Sequence, residues 1–293
     1  MKSNPFATLA YGAMTLLVAV YIAFVALLMH HDAMPIPVFA GIAFAALAAL
    51  LLIVCVVPFG YILIRALLAE NGSFTLLNYY SVFLGNPLYL RRFFRSLALA
   101  GCIAVGQTVF SVLAGFGFAK YRFPGKNIMF FLLMALMIMP LQVTLVPNYM
   151  VLDAAGLRNT YLSLALPAIF VPLGTFLMTQ TFRAVPQEVL DAGKVDGCND
   201  LGALIKIAVP MGKGGIACTL LLSFLDGWNM VEQPLVLLDH FTSYPISVAL
   251  ATVQTGSLGV QLACCVLVMI PPLLLFTLFH RELVEGIALG GDK

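Results

Sequence analysis

Seven long apolar runs dominate the chain and dictate what it can become. They cover Leu9–Met29, Phe39–Leu67, Leu97–Ala119, Ile128–Met150, Tyr161–Phe182, Gly215–Leu238 and Gly259–Phe279. Each is about the 20 residues that a helix needs to cross the hydrocarbon of a bilayer. Lipid offers backbone N–H and C=O groups no partner, so such runs must be helices or strands of a closed barrel. They lack the alternation of barrel strands, and the predicted fold is all-α and polytopic. Composition agrees. The 293 residues are 62% hydrophobic and only 10% charged, against about half and a quarter in a soluble domain. So few charges cannot coat a soluble globule, and disorder needs the opposite balance. A net charge of +2 gives no basic field for nucleic acid. The six cysteines form no C-x-x-C pair and read as small packing residues. Gly41, Ala45 and Ala49, and again Ala100 and Ala104, fall at helical spacing and allow close helix approach.

The longest polar stretch between runs is Arg183–Gly214, with Arg183, Lys194, Lys206 and Lys213. The excess of basic residues in cytoplasmic loops places it inside. Counting outward from it, nine basic residues lie inside and six outside. The tail with Arg281 and Lys293 is then cytoplasmic. Seven spans would put the N-terminus outside, with Lys2 on the less favoured side. The first run either spans that way or lies in the membrane face. It is not read as a cleaved signal, because Lys2 is its only charge and no small-x-small site follows Met29.

Val185–Gly197 and its continuation to Pro210 carry the most specific information. Pro186 suits the first turn of a helix, and Glu188 and Asp191 favour its positive N-terminal end. Gly197 can end it in the left-handed conformation, and Asn199 or Asp200 can cap a second helix that Pro210 closes. The expected product is a short helix–turn–helix across the membrane face, either a docking surface or an amphipathic connector. Asp191-Ala192-Gly193, Asp196-Gly197 and Ile207-Ala208-Val209-Pro210 resemble the EAA loop of ABC-importer permeases, E-A-A-x-x-x-D-G followed by I-x-L-P. Gly193 replaces an alanine at up to about 1 kcal/mol, which predicts a looser helix.

Further segments are similar to carbohydrate-importer permeases of the MalG type, together covering roughly residues 75–293. They are Tyr121–Lys126, the proline-broken Met139–Val143 with Val146-Pro147, Asn159-Thr160-Tyr161, Trp228-Asn229-Met230 with Pro234-Leu235, and the end Gly286–Lys293. Arg95 before Ser96, where the family usually has Asn, and Asp226 and Glu232 in the sixth run depart from the pattern. The resemblance implies a six-helix type I importer core over residues 39–293, with an extra N-terminal hydrophobic helix and connector in 1–38. It implies an EAA loop at 183–214 and a tail at 280–293. It also implies a second permease, an ATPase dimer carrying ATP and Mg, an extracytoplasmic solute-binding protein and a sugar substrate, in a bacterial-type inner membrane. The expected ATPase-coupling residues are Glu188, Asp191, Ala192, Gly193, Asp196, Gly197, Ile207 and Pro210. The tail from Glu285 would reach between the ATPases, and the outer loop Asp239–Leu258 would meet the binding protein.

Ionisable residues inside a membrane are costly and mark function by default. Asp226, Asn229 and Gln233 share helical spacing, with Glu232 on an adjacent face. These four are the expected translocation-path residues, with Gln107, Gln142, Asn148 and Gln180 behind them. Pairing with a partner helix is the alternative role. Pro140, Pro147, Pro167 and Pro172 are expected to break helices near mid-membrane. No G-x-x-x-x-G-K-[ST] loop or H-E-x-x-H is present, so no cofactor, metal or catalytic role is expected on this chain. An importer for a non-sugar solute is the nearest alternative, then a secondary transporter or a membrane enzyme.

Overall fold

A computed structural model describes residues 36–69, 71–85, 87–252 and 257–291. The first apolar run and the connector after it lie outside these residues. The described chain is helical, with one isolated bridge between Leu68 and Phe74. Helix α1 spans Ile36–Ala66, α2 Leu77–Phe83 and α3 Pro87–Lys120. Next come α4 (Lys126–Ile138), α5 (Leu141–Ala154), α6 (Tyr161–Ile169) and α7 (Pro172–Ala184). The polar loop contains α8 (Gln187–Val195), α9 (Asp200–Ala203), a π turn over Leu204–Ala208, and α10 (Val209–Met211). Helices α11 (Lys213–Asn229), α12 (Glu232–Leu237), α13 (Ile246–Thr252) and α14 (Leu258–Gly291) complete the chain.

Four segments are long and apolar enough to cross a membrane unaided: Phe44–Ala66, Pro87–Lys120, Tyr161–Ala184 and Leu258–Arg281. Two bent units raise the number to six. One is α4 with α5, which meet at 106°, and the other ends in α11, which leaves the preceding loop helix at 83°. By length and composition the described residues thus hold four to six spans.

Helix α3 is the mast of the bundle. It packs along α7, α11 and α6, while α11 also packs on α14 and α14 on α1. Between transmembrane helices, packing depends on small residues that let backbones approach. A Cβ on Gly115 would lie 2.5 Å from Met178 Cβ and 2.8 Å from that residue's carbonyl carbon, so α3 and α7 touch through bare backbone. A Cβ on Gly227 would lie 3.2 Å from Ala100 Cα, where α11 crosses α3. Ala100 and Ala104 are buried in this seam, as their spacing suggests. Trp228 is buried against Phe93 and Phe224. Its Nε1 donates to the Val268 carbonyl at 3.2 Å, pinning α11 to α14. The buried hydroxyls of Thr179, Thr219 and Ser223 each donate to the carbonyl four residues earlier, which satisfies them without a second helix.

The prolines act unequally. Pro140 and Pro172 stand at real breaks, after Met139 and after Phe170-Val171. Pro147 and Pro167 are carried inside α5 and α6. A third break, at Met230-Val231, interrupts the predicted run Gly215–Leu238. Its cause is Pro234, which has no N–H to give the Met230 carbonyl four residues back. Ser247 Oγ donates to that carbonyl instead, at 2.6 Å.

Gly115→Leu should force α3 and α7 apart and lower the thermal midpoint of the purified protein, at a cost of about 1–3 kcal/mol. Gly117→Leu, two residues on and facing open space, should leave the midpoint unchanged.

Candidate functional site: the polar loop and the broken helices

The loop is built as a socketed base with an exposed outer stripe. Pro186 and Val185 are extended before α8. Leu190 and Gly193, three residues apart on one face of α8, turn inward. Leu190 joins Phe116, Met178, Phe182, Val185, Ala203, Leu204 and Ala208 in one apolar cluster at the ends of α3 and α7. Phe116 and Phe182 meet edge to face at 5.7 Å. Lys120 Nζ, on the last residue of α3, donates to the Val185 carbonyl. Gly193 is not a loose point. A Cβ there would run into Ile207 Cδ1, so the missing methyl makes the seat for Ile207.

The turn after α8 is fixed by backbone chemistry. Gly197 has φ +88°, in the left-handed region that costs other residues about 1–2 kcal/mol. Its N–H and that of Cys198 close onto the Lys194 and Gly193 carbonyls. Of the two candidate caps, Asn199 is the one used, its Oδ1 accepting from Gly202 N at 2.7 Å. Asp200 instead pairs with Lys194 at 3.0 Å across the turn. The Lys194 ammonium holds the Asp200 carboxyl below its usual range, and Asp200 raises Lys194 in return. Pro210 lies one residue before the end of this second helical unit, which closes at Gly212. Pro210 cannot donate to the carbonyl four residues back, at Lys206, and the π turn Leu204–Ala208 absorbs the mismatch.

The predicted coupling residues therefore divide. Glu188, Asp191, Ala192, Asp196, Gly197 and Pro210 are exposed, while Gly193 and Ile207 pack against each other beneath. Sequence reasoning missed the apolar knobs of the exposed side. Val195 is 88% exposed, and Val189, Leu201 and Ile205 are exposed too. Glu188, Ala192 and Val195, at i, i+4 and i+7, form an outward stripe. The signal was present in the sequence, since Val189 and Val195 are out of step with the buried spacing of Leu190 and Gly193.

The path candidates lie around the helix breaks. Asp226 is exposed at the mouth of a small cleft lined also by Gln107, Gly174, Thr219 and Ser223. Asn229 is the exposed last residue of α11. The break after it puts Glu232 and half-buried Gln233 on α12, so Gln233 does not continue the face of Asp226 as the spacing suggested. Glu232 is not left alone. Gln142 Nε2 lies 3.1 and 3.0 Å from its two carboxylate oxygens. This pair joins the start of α12 to the start of α5, two half-helices that each follow a break. Asn148 is half-buried on α5 and Gln180 exposed on α7.

The opposite end is pinned closely. Asn159 has φ 60°. Its N–H donates to the Leu237 carbonyl at 3.0 Å, and its Oδ1 accepts from Asp239 N at 3.1 Å. Tyr161 Oη donates to the Ser243 carbonyl, and Ser96 Oγ accepts from Ile246 N. Arg92, buried, donates to the Phe241 carbonyl at 2.6 Å and lies over the Phe241 ring.

A family model described as "Binding-protein-dependent transport system inner membrane component" matches residues 82–288. The chain belongs to that family. The permease is 31% identical over 230 residues to an arabinooligosaccharides transport system permease protein, AraQ, of Halalkalibacterium halodurans, covering 78% of this chain and 82% of that one. It is 28% identical over 219 residues to the AraQ protein of Bacillus subtilis, covering 74% and 78%. An sn-glycerol-3-phosphate transport system permease protein, UgpE, of Pectobacterium atrosepticum is 27% identical over 197 residues, covering 66% and 70%. A chain from a solved bacterial ABC transporter involved in import of the acidic polysaccharide alginate superposes with a TM-score of 0.72. That match covers 83% of the permease and 96% of the other chain at 18% identity, and it establishes the fold. The permease is a transport subunit of an inner membrane system, not an enzyme.

Asn199→Ala should remove the α9 cap at a cost of about 1 kcal/mol. The expected sign is faster amide hydrogen exchange confined to residues 198–204, with the transmembrane helices unaffected.

Proposed function

We propose that this permease forms half of the translocation path of an ATP-driven, binding-protein-dependent importer for a sugar or oligosaccharide. The other half is a second homologous permease. An ATPase dimer binding ATP and Mg sits on the cytoplasmic face, and an extracytoplasmic binding protein delivers the solute. The observation that carries the reading is the loop itself, an exposed stripe of acidic and apolar groups on α8 rigidly socketed onto α3 and α7. A rigid base lets movement of the loop become movement of the spans, the rigid-body switch that nucleotide binding can bias. Glu188, Asp191, Ala192, Asp196 and Gly197 are the contacts on the ATPase, with Val195 as an added apolar knob. Gly193, Ile207 and Pro210 hold their shape. The names of the AraQ relatives support a saccharide. The basic-residue bias supports a cytoplasmic loop and tail, and the tail is helical through Gly291.

Asp226, Asn229, Glu232 and Gln233 are assigned to the path. Exposed carboxylates within spanning segments cannot face lipid cheaply, so they face water or the partner permease. Their closeness to broken helices fits a site lined by freed backbone.

Asp196→Lys or Gly197→Asp should weaken both ATPase co-purification and solute uptake by about tenfold or more, a 1.4 kcal/mol loss. Normal co-purification and normal uptake in both variants would sink the coupling assignment. The double change Asp226→Asn, Glu232→Gln should leave complex assembly intact and alter the uptake rate several-fold. Unaltered uptake would remove the two carboxylates from the path.

A further inference from the structure

One group of charges plays no part in the coupling stripe or the path. Arg122 lies in the short turn between α3 and α4, Lys126 opens α4, and Arg183 lies in the last turn of α7. Arg122 and Arg183 are exposed and Lys126 is half-buried. Arg183 and Lys126 flank one aromatic ring, and Arg122 is near enough for its charge to act on Lys126. Arg183 lies over the Phe130 ring at 5.0 Å, and Phe130 is one helical turn beyond Lys126. The charges that act on Lys126 are those of Arg183 and Arg122, both positive. Among the described residues none of the three forms an ion pair. The Lys126 ammonium is held only by the Tyr121 carbonyl, at 2.8 Å.

Three like charges gathered without a counter-charge leave a local field that an anion relieves. The surroundings select which anion. Beneath the cations is an aromatic group, with Phe130 against Phe118 and Phe176, and Phe118 against Phe123. On the other side α4 presents Ile128, Met129 and Phe131 outward. The cluster thus marks the end of a spanning unit, where apolar surface meets charge and aromatic and basic anchors meet headgroups.

We infer that Arg122, Lys126 and Arg183 form a seat for the phosphate of an anionic phospholipid, whose acyl chains lie along the exposed face of α4. Phe130 orients the Arg183 guanidinium through its ring face. The Tyr121 carbonyl steers Lys126 to the same side. The seat is independent of which solute is carried and of the coupling assignment. It adjoins the loop, however, because the Asp200 charge is near enough to act on Tyr121.

The test uses the whole transporter, purified through a tag on this chain and placed in nanodiscs of phosphatidylcholine with or without phosphatidylglycerol. Retained phosphatidylglycerol is measured by native mass spectrometry. Each cation near an anionic lipid contributes about 1 kcal/mol, or roughly fivefold in retention. Replacing Arg122, Lys126 and Arg183 by Gln one after another should lower retention stepwise by about that factor. The pair Arg122→Lys, Arg183→Lys should keep most of it, which separates loss of charge from misfolding. Equal retention in the triple Gln variant and wild type overturns the inference. So does full displacement of the lipid by inorganic phosphate, which would mark a small-anion site. So would loss of ATPase co-purification in the triple Gln variant with retention unchanged, which would give the cluster to a protein partner.

Discussion

The contact of α3 with α7 through the bare backbone at Gly115 is the constraint on which the rest of this fold depends. In water a poor helix contact can be offset by hydrophobic burial, but lipid tails are as apolar as leucine and give no such reward. What holds these helices together is dispersion at short range, and dispersion fades within a fraction of an ångström. The backbone seam brings Phe116, Met178 and Phe182 into one cluster, and that cluster is the floor on which the polar loop rests. The spacing of Ala100, Ala104 and Gly227 does the same where α11 crosses. Small residues set the helix positions, and the aromatic pin at Trp228 fixes α14 against them.

The three helix breaks show how a membrane chain departs from straight spans without leaving polar backbone unpaired. Each freed carbonyl needs a donor from within the protein. Ser247 supplies one for Met230. Gln142 and Glu232 pair beside two of the breaks, and Asp226 and Gln107 line a small cleft with Gly174, just past the third, so polar side chains accompany freed backbone.

Much of this was legible in the sequence because lipid imposes so simple a rule. Long apolar runs located the spans, and Gly197 located the turn of the loop. Reading failed where a local signal acted at a distance. Pro234 breaks the helix at the residue four before it, so Asp226 and Gln233 lost the common face that spacing gave them. Gly193 read as a weakness because propensity counts only the helix it sits in, while Ile207 fills its missing methyl from another element. Pro147 and Pro167 read as breaks but are carried within helices. The exposed Val195 was invisible to a search for charged contacts, and only its place outside the buried face marks it. The pairing of Gln142 with Glu232, 90 residues apart, leaves no trace in any local pattern.

Helix α3 has a property that no single contact on it reveals. Near its start Arg92 and Ser96 hold the segment from Phe241 to Ile246, and at its end Phe116 and Lys120 hold the polar loop. With 34 residues it is a rod roughly 50 Å long, clamped at both tips and free of internal proline. Such a rod cannot report tension at one tip without delivering it to the other. A displacement of the Phe241–Ile246 segment and a displacement of the polar loop are therefore linked through a single helix.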